Sequence, residues 1–239
     1  MAKTGGKVPT KTGDNNVAAF LEKLAATPAP ATGGRRGRLI FAMDATASRQ
    51  PRWDSASHIQ SQMFVETAQL GGLDIQLIFY RGFGEFHAAP WHHTADALLA
   101  EMRQVFCVGG RTQIGKVLRH ARDQAKQGKV DALVFVGDAM EEDVDALCHT
   151  AGELGLLGVP CFIFHEGGDP NAAMAFKQIA NLTRGAYCPF DAASAQQLRD
   201  LLAAVAVFAA GGRKALVDFS RKSGRPARLL LEQLGAKSR

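Results

Sequence analysis

From residue 38 onward, short apolar runs alternate with segments of helical periodicity, and this alternation limits the possible folds most strongly. The run "RLIFAMD" at 38–44 is apolar until it ends in Asp44, which is typical of a strand buried on both faces. The run "DALVFVGD" at 131–138 has the same character and ends in Asp138. Alternating strands and helices predict a parallel, doubly wound α/β sheet with helices on both faces, a Rossmann-like fold.

The same periodicity predicts six strands and six helices in this region. Pro90 indicates an edge position for the third strand, because proline cannot donate a ladder hydrogen bond. The predicted strands are 38–44, 74–82, 85–91, 131–138, 159–165 and 185–190. The predicted helices are 53–72, 94–104, 113–127, 143–155, 171–182 and 194–209.

The chain divides by composition into a core and two basic flanks. Residues 1–37 contain a short amphipathic helix pattern and an Ala/Pro/Gly linker, 38–210 form the predicted α/β domain, and 211–239 form a basic tail with one or two helical turns. The net charge is +5 over 1–38, +6 over 211–239 and −6 over 39–210. We interpret the flanks as solvated tails, with weak binding of an anionic partner as the alternative.

From the sequence we expect neither a membrane-spanning nor a secreted protein. No run reaches the roughly 18–20 apolar residues of a membrane helix, and the first residues lack the apolar segment of a secretory signal. The four cysteines lie far apart without a C-x-x-C pair, which favours reduced thiols and a cytoplasmic protein.

The stretch "GGRTQIGKV" at 109–117 admits a nucleotide-binding interpretation. Its segment 110–116 reproduces most of a phosphate-binding loop, in which backbone N–H groups and a lysine hold phosphates. Val117, however, stands where such loops have the Ser or Thr that binds magnesium, and the stretch follows at least two strands rather than the first. A nucleotide hydrolase is therefore the minor alternative.

Oxygen-bearing side chains follow three of the predicted elements. Asp44, Thr46 and Ser48 alternate just beyond the first strand, Thr112 lies in a glycine-containing loop before a helix, and Asp138 ends another strand. Ligand sites in open α/β sheets lie outside the carboxyl ends of the strands, so these five side chains are candidate ligands of one ion. An all-oxygen set with few charges suits Mg²⁺ or Mn²⁺.

These motifs resemble the metal-ion-dependent adhesion site (MIDAS) of von Willebrand factor A (vWA) domains. The resemblance rests on Asp-x-Thr-x-Ser at 44–48, Thr112 in "GGRTQIG" and Asp138 in "FVGD", and it extends over 38–210, most closely to small single-domain cytoplasmic vWA proteins of bacteria. The family has Ser where Thr46 stands, and "RQPRWD" at 49–54 is unlike its shortest loops. The resemblance implies a module in which the ion captures an Asp or Glu of a protein partner, as an adaptor in a larger complex.

Residues that follow the motif positions are candidates for the contact rim: Arg49, Arg111, Met140 and Glu141. Catalysis is not expected, because the motif contains no His or Cys to act as nucleophile or base. The acidic run Glu141 to Asp143 is interpreted as favouring the N-terminus of its own helix. A metal-free scaffold that binds through its basic flanks stays open as a further alternative.

Overall fold

The computed structural model describes residues 36–47, 72–190 and 195–222. In chain order the elements are β1 Gly37–Asp44, β2 Leu73–Arg81, β3 Glu85–His92, α1 Ala95–Arg103, α2 Ile114–Gln127, β4 Ala132–Gly137, α3 Val144–Leu156, β5 Cys161–Glu166, α4 Pro170–Leu182, β6 Ala186–Phe190 and α5 Ala195–Lys222. The predicted N-terminal helix, the predicted helix at 53–72, Ser48 and Arg49 lie outside the described residues.

The strands form one six-stranded sheet in the order β3-β2-β1-β4-β5-β6. Five strands are parallel, and β3 pairs antiparallel with β2 at the edge. The register of β3 against β2 shifts between Gln76 and Ile78, opposite the stretch that contains Pro90. The prediction of a mostly parallel Rossmann-like sheet with this edge strand is confirmed.

The sheet separates two apolar cores, because successive side chains of a strand point to opposite faces. Leu39, Phe41 and Met43 of β1 pack on one face with residues of α1 and α5. Ile40 and Ala42 pack on the other face with residues of α2, α3 and α4. A central strand with both faces covered must be apolar throughout, which explains the continuous runs in the sequence.

Three helices begin at residues whose side chains accept a hydrogen bond from the first turn. Thr94 caps α1, Asp143 caps α3 through the Ala146 N–H at 2.8 Å, and Asp169 caps α4. The first residue of α4 is Pro170, which has no N–H to leave unpaired. The caps of α3 and α4 fix where the connections that leave the carboxyl ends of β4 and β5 end, whereas Thr94 follows the antiparallel strand β3 and lies at the opposite edge.

The sequence predicts a last helix that ends near residue 209, followed by one or two helical turns in the tail. α5 continues to Lys222 with a break at Gly212, where φ is +68°. Glycine adopts this left-handed conformation without steric cost, so the chain bends and the helix resumes. Leu216, beyond the break, is buried in the same core cluster as β1. No helix in the described ranges has the length and apolarity that crossing a membrane requires.

Candidate functional site

Three connections meet at the carboxyl edge of the sheet and enclose a cavity of about 270 Å³. We call it the edge cavity. It is bordered by the end of β1, by the loop that precedes α2, and by the residues that follow β4. The lining residues are Asp44, Thr46, Ala47, Gly109, Gly110, Thr112, Asp138, Ala139 and Glu141. Four of the five predicted ligand residues therefore border one cavity, and the fifth, Ser48, lies outside the described residues.

Asp44 is the buried carboxylate at the floor of the edge cavity, with 1% of its surface exposed. Its Oδ1 accepts a hydrogen bond from the Thr46 N–H at 2.7 Å, and its Oδ2 accepts one from the Tyr80 hydroxyl at 3.2 Å. Burial raises the pKa of Asp44 to about 6; Asp138 adds to the rise, and the hydrogen bonds from Thr46 and Tyr80 oppose it. The site thus holds a carboxylate whose charge is only partly compensated.

Thr112 is held by a reciprocal pair of hydrogen bonds with the segment after β4. Its Oγ1 accepts from the Glu141 N–H at 3.1 Å, while its own N–H donates to Glu141 Oε2 at 3.3 Å. The approach of Gly110 to the turn after β2 fixes the same loop, since a Cβ on Gly110 would lie 1.9 Å from the Gly82 carbonyl oxygen. The hydroxyl of Thr112 is therefore positioned by two elements besides its own loop.

Asp138 follows β4 and is half-buried. Its carbonyl oxygen lies 3.3 Å from His165 Nε2, and His165 Nδ1 lies 2.8 Å from the Tyr187 hydroxyl. Burial lowers the pKa of His165. His165 and Tyr187 thus support the backbone from which the Asp138 side chain projects. Neither of these two residues lines the edge cavity.

Glu142 provides the N-terminal cap of α2, although it belongs to the connection before α3. Its carboxylate accepts from the N–H groups of Ile114 and of Gly115, the latter at 2.9 Å. Gln113, the residue before the helix, makes no side-chain cap bond. The sequence interpretation placed Glu141, Glu142 and Asp143 at the N-terminus of the helix that follows them. Asp143 does cap that helix, α3, whereas the Glu142 carboxylate bonds to the first turn of α2.

The stretch 110–116 is already engaged by protein groups, which disfavours the phosphate-loop interpretation. The N–H groups at the start of α2 bond to the Glu142 carboxylate, where a phosphate would have to bind. Lys116 Nζ bonds to the Gly84 carbonyl oxygen at 2.8 Å and to Gln113 Oε1 at 2.7 Å. The lysine thus holds the turn between β2 and β3.

The predicted contact rim is only partly brought to the edge cavity. Glu141 lines it, Arg111 is exposed beside Thr112, and Met140 packs against the core on the α2 face. Arg49 lies outside the described residues. The sequence analysis did not identify the roles of Tyr80 and Glu142. The register of β2 against β1 places Tyr80 beside Asp44, and a contact between two connections brings Glu142 to α2.

The donor set of the edge cavity fits a hard divalent cation. Carboxylates of Asp44, Asp138 and Glu141 and hydroxyls of Thr46 and Thr112 line it, without thiol or imidazole. Within the described residues no group of three or more His, Cys, Asp or Glu could hold a metal ion. An ion here therefore depends on the threonine hydroxyls as well as on carboxylates, and a cation would compensate the buried charge of Asp44.

The fold and this site define an open, doubly wound α/β domain with polar connections gathered at the carboxyl edge of its sheet. No protein-family model matches the sequence, and no curated protein is significantly similar to it.

Solved structures share the fold. A von Willebrand factor type A protein from Catenulispora acidiphila superimposes with a TM-score of 0.52 at 17% identity, covering 71% of this chain and 42% of that one. The SpRpn10 VWA domain gives 0.56 at 14% identity, covering 70% and 94%. The vWF domain of the type V pili tip protein Mfa5 from Porphyromonas gingivalis gives 0.57 at 11%, covering 72% and 94%. The chain has the vWA fold.

Proposed function

We propose that this protein is a metal-dependent protein-interaction module in which Mg²⁺ or Mn²⁺ in the edge cavity captures an Asp or Glu of a partner. The observation that carries the proposal is the convergence of Asp44, Thr46, Thr112 and Asp138, from three connections, on one cavity. Ser48 is proposed as a further ligand from the sequence motif. Hydroxyl ligands leave the ion electrophilic, so a carboxylate from outside is a suitable additional ligand.

The structural neighbours support an interaction role by their descriptions, since one is a domain of a pili tip protein. We propose a non-enzymatic adaptor on this basis. The four cysteines are free thiols, which supports a cytoplasmic location as part of the same proposal. Binding of an anionic partner by the basic flanks stays a prediction, because most of both flanks lies outside the described residues.

Metal binding is tested by thermal unfolding in EDTA, Mg²⁺ or Mn²⁺. One bound ion at 100 times its Kd stabilises by about 2.7 kcal/mol, or roughly 5–11 °C for a chain of this size. Thr112→Ala is expected to abolish the increment. Thr150→Ala is the matched control, because it removes another buried threonine hydroxyl, which bonds to the Ala146 carbonyl on α3. Equal increments in both variants would contradict the assignment.

The open coordination position is tested by water-proton relaxation of the Mn²⁺ complex. Bound waters enhance relaxation, and a carboxylate that replaces one of them reduces the enhancement. We expect N-acetylglutamate methylamide to reduce it and the glutamine analogue, which lacks the charge, to leave it unchanged. The same effect from both compounds would rule out selective capture of an acidic group.

A further inference from the structure

The turn between β2 and β3 is fastened to the loop that carries Thr112. The Gly82 N–H donates to the Val108 carbonyl at 3.4 Å, and the Gly82 carbonyl accepts from the Arg111 N–H at 3.1 Å. Gln113 Nε2 bonds to the Arg81 carbonyl at 3.2 Å, and Lys116 Nζ bonds to the Gly84 carbonyl at 2.8 Å. The turn and the loop therefore form one fixed surface.

Three large apolar side chains are exposed on this fixed surface. Phe83 is 87% exposed at the tip of the turn, Phe106 is 59% exposed, and Val108 is 38% exposed. We call these three residues the apolar rim. Single exposed apolar side chains are common on protein surfaces, whereas several on adjoining segments beside a cavity are typical of an interaction site.

The apolar rim borders the edge cavity. Val108 immediately precedes Gly109 and Gly110, which line the cavity, and its N–H donates to the Ala45 carbonyl at 3.0 Å, just past the end of β1. Two residues of extended chain span roughly 7 Å. A ligand whose carboxylate lies in the cavity therefore brings its neighbouring side chains to the apolar rim.

One exposed cation, Arg111, accompanies the apolar rim, while the nearby Arg81 is ion-paired with Glu85 at 2.6 Å. The Arg81 guanidinium lies 4.2 Å from the centre of the Phe106 ring and donates to the Phe106 carbonyl at 2.8 Å. Arg111 is exposed between Val108 and Thr112. The charge of Arg111 is thus complementary to an acid that approaches the cavity, and an apolar side chain next to that acid is complementary to the rim.

We propose that the partner presents its captured Asp or Glu within one or two residues of a large apolar side chain, which packs on Phe83, Phe106 and Val108. This inference rests on the proposed function and specifies the partner of the same site. The edge cavity supplies the requirement for an acid, and the apolar rim supplies selectivity among the many acidic residues that protein surfaces expose.

The experiment probes a synthetic array of heptapeptides with the full chain, in Mn²⁺ and in EDTA. Each peptide has a central Asp, Glu or Asn, and the four positions around it carry Phe, Leu or Ser within a Gly-Ser background. Phe83→Ser tests the rim without disturbing the core, since the ring is exposed. Leu156→Ser is the matched control, because Leu156 is 92% exposed at the far end of α3, away from the cavity.

We expect Mn²⁺-dependent binding of acidic peptides that is about tenfold stronger when Phe or Leu flanks the acid. Phe83→Ser should remove most of this preference and leave the binding of acid-only peptides unchanged, while Leu156→Ser should match the wild type. Acid-dependent binding without any apolar preference would overturn this inference and leave the proposed function standing.

Two other outcomes count against the inference for different reasons. Absence of any acid- and Mn²⁺-dependent binding would refute the proposed function itself, and the inference with it. Self-association of the chain that Phe83→Ser abolishes, measured by sedimentation velocity, would assign the rim to a second copy and overturn the peptide assignment.

Discussion

Replacing Asp44 by Asn should stabilise the metal-free protein at neutral pH. Burial raises the pKa of Asp44 from its usual 3.8 to about 6, so the folded protein holds this proton more tightly than the unfolded chain. Stability from Asp44 is therefore fully present below pH 3.8 and is lost as the pH rises through 6. At about 1.4 kcal/mol per pH unit, the loss above pH 6 amounts to about 3 kcal/mol.

Asn resembles the protonated acid in shape and charge, and the Tyr80 hydroxyl can accept a hydrogen bond from its amide as readily as it donates to the carboxylate. In EDTA at pH 7.5 we expect Asp44→Asn to unfold above the wild type by roughly 6–12 °C in differential scanning calorimetry. At pH 4 the difference should largely disappear. In Mg²⁺ at 1,000 times its Kd the order should reverse, because the ion then stabilises only the wild type, by about 4.1 kcal/mol.

The matched control is Asp131→Asn, at another carboxylate with 1% exposure. Asp131 accepts from the Arg38 N–H at 2.9 Å and lies 3.3 Å from Lys129 Nζ, so its loss should destabilise the protein at pH 7.5 in either buffer. A lower unfolding temperature of Asp44→Asn in EDTA at pH 7.5 would refute the reasoning that the ionised Asp44 is costly without a cation.

Two further predictions concern the surroundings of the site, and a third concerns a histidine in the middle of α2. Glu142→Gln should lower the free energy of unfolding by about 1–2 kcal/mol in urea titrations, since its charge-assisted cap of α2 is lost, and an unchanged midpoint would contradict the role of this cap. Gly110→Ala should lower the free energy of unfolding by about 1–3 kcal/mol and weaken Mn²⁺ binding in calorimetry, because the new Cβ would collide with the Gly82 carbonyl. Gly109→Ala is the control and should behave like the wild type, because nothing lies within 4 Å of its Cβ. Burial lowers the pKa of His120 in the folded protein. Stability from the neutral ring is therefore present above pH 6.5 and is lost as the pH falls through the folded pKa. His120→Gln should flatten the decline of the unfolding temperature on the acid side, and an unchanged slope would exclude this contribution.

Much of the fold was predictable because each strand carries its burial pattern locally. The runs ending at Asp44 and near Asp138 are apolar on both faces of a covered sheet, and Pro90 marks the edge strand. The lateral order of the strands was not predictable residue by residue, because it depends on contacts between segments distant in sequence. The helical turns predicted for the tail were not recognised as a continuation of the last helix, because the backbone of Gly212 between them is not helical.

The candidate site was likewise predictable from the sequence only in part. Asp44, Thr46 and Asp138 were predicted to lie at one edge from their positions at strand ends, and Thr112 from its loop before a helix. These four residues line one cavity. Whether they bind an ion stays a prediction. Tyr80 could not be found without the β1–β2 register, which pairs it with Asp44. The cap of α2 by Glu142 joins residues 27 and 28 positions apart, so periodicity within either segment carries no signal of it.

The most direct test of the central claim is an anomalous difference map from crystals of the full chain grown in Mn²⁺. Our account predicts a peak in the edge cavity within about 2.2 Å of the Thr46 and Thr112 hydroxyl oxygens, at the distances typical of small hard cations. A well-ordered edge cavity with no peak at saturating Mn²⁺, and with both hydroxyls bonded only to protein groups, would contradict it.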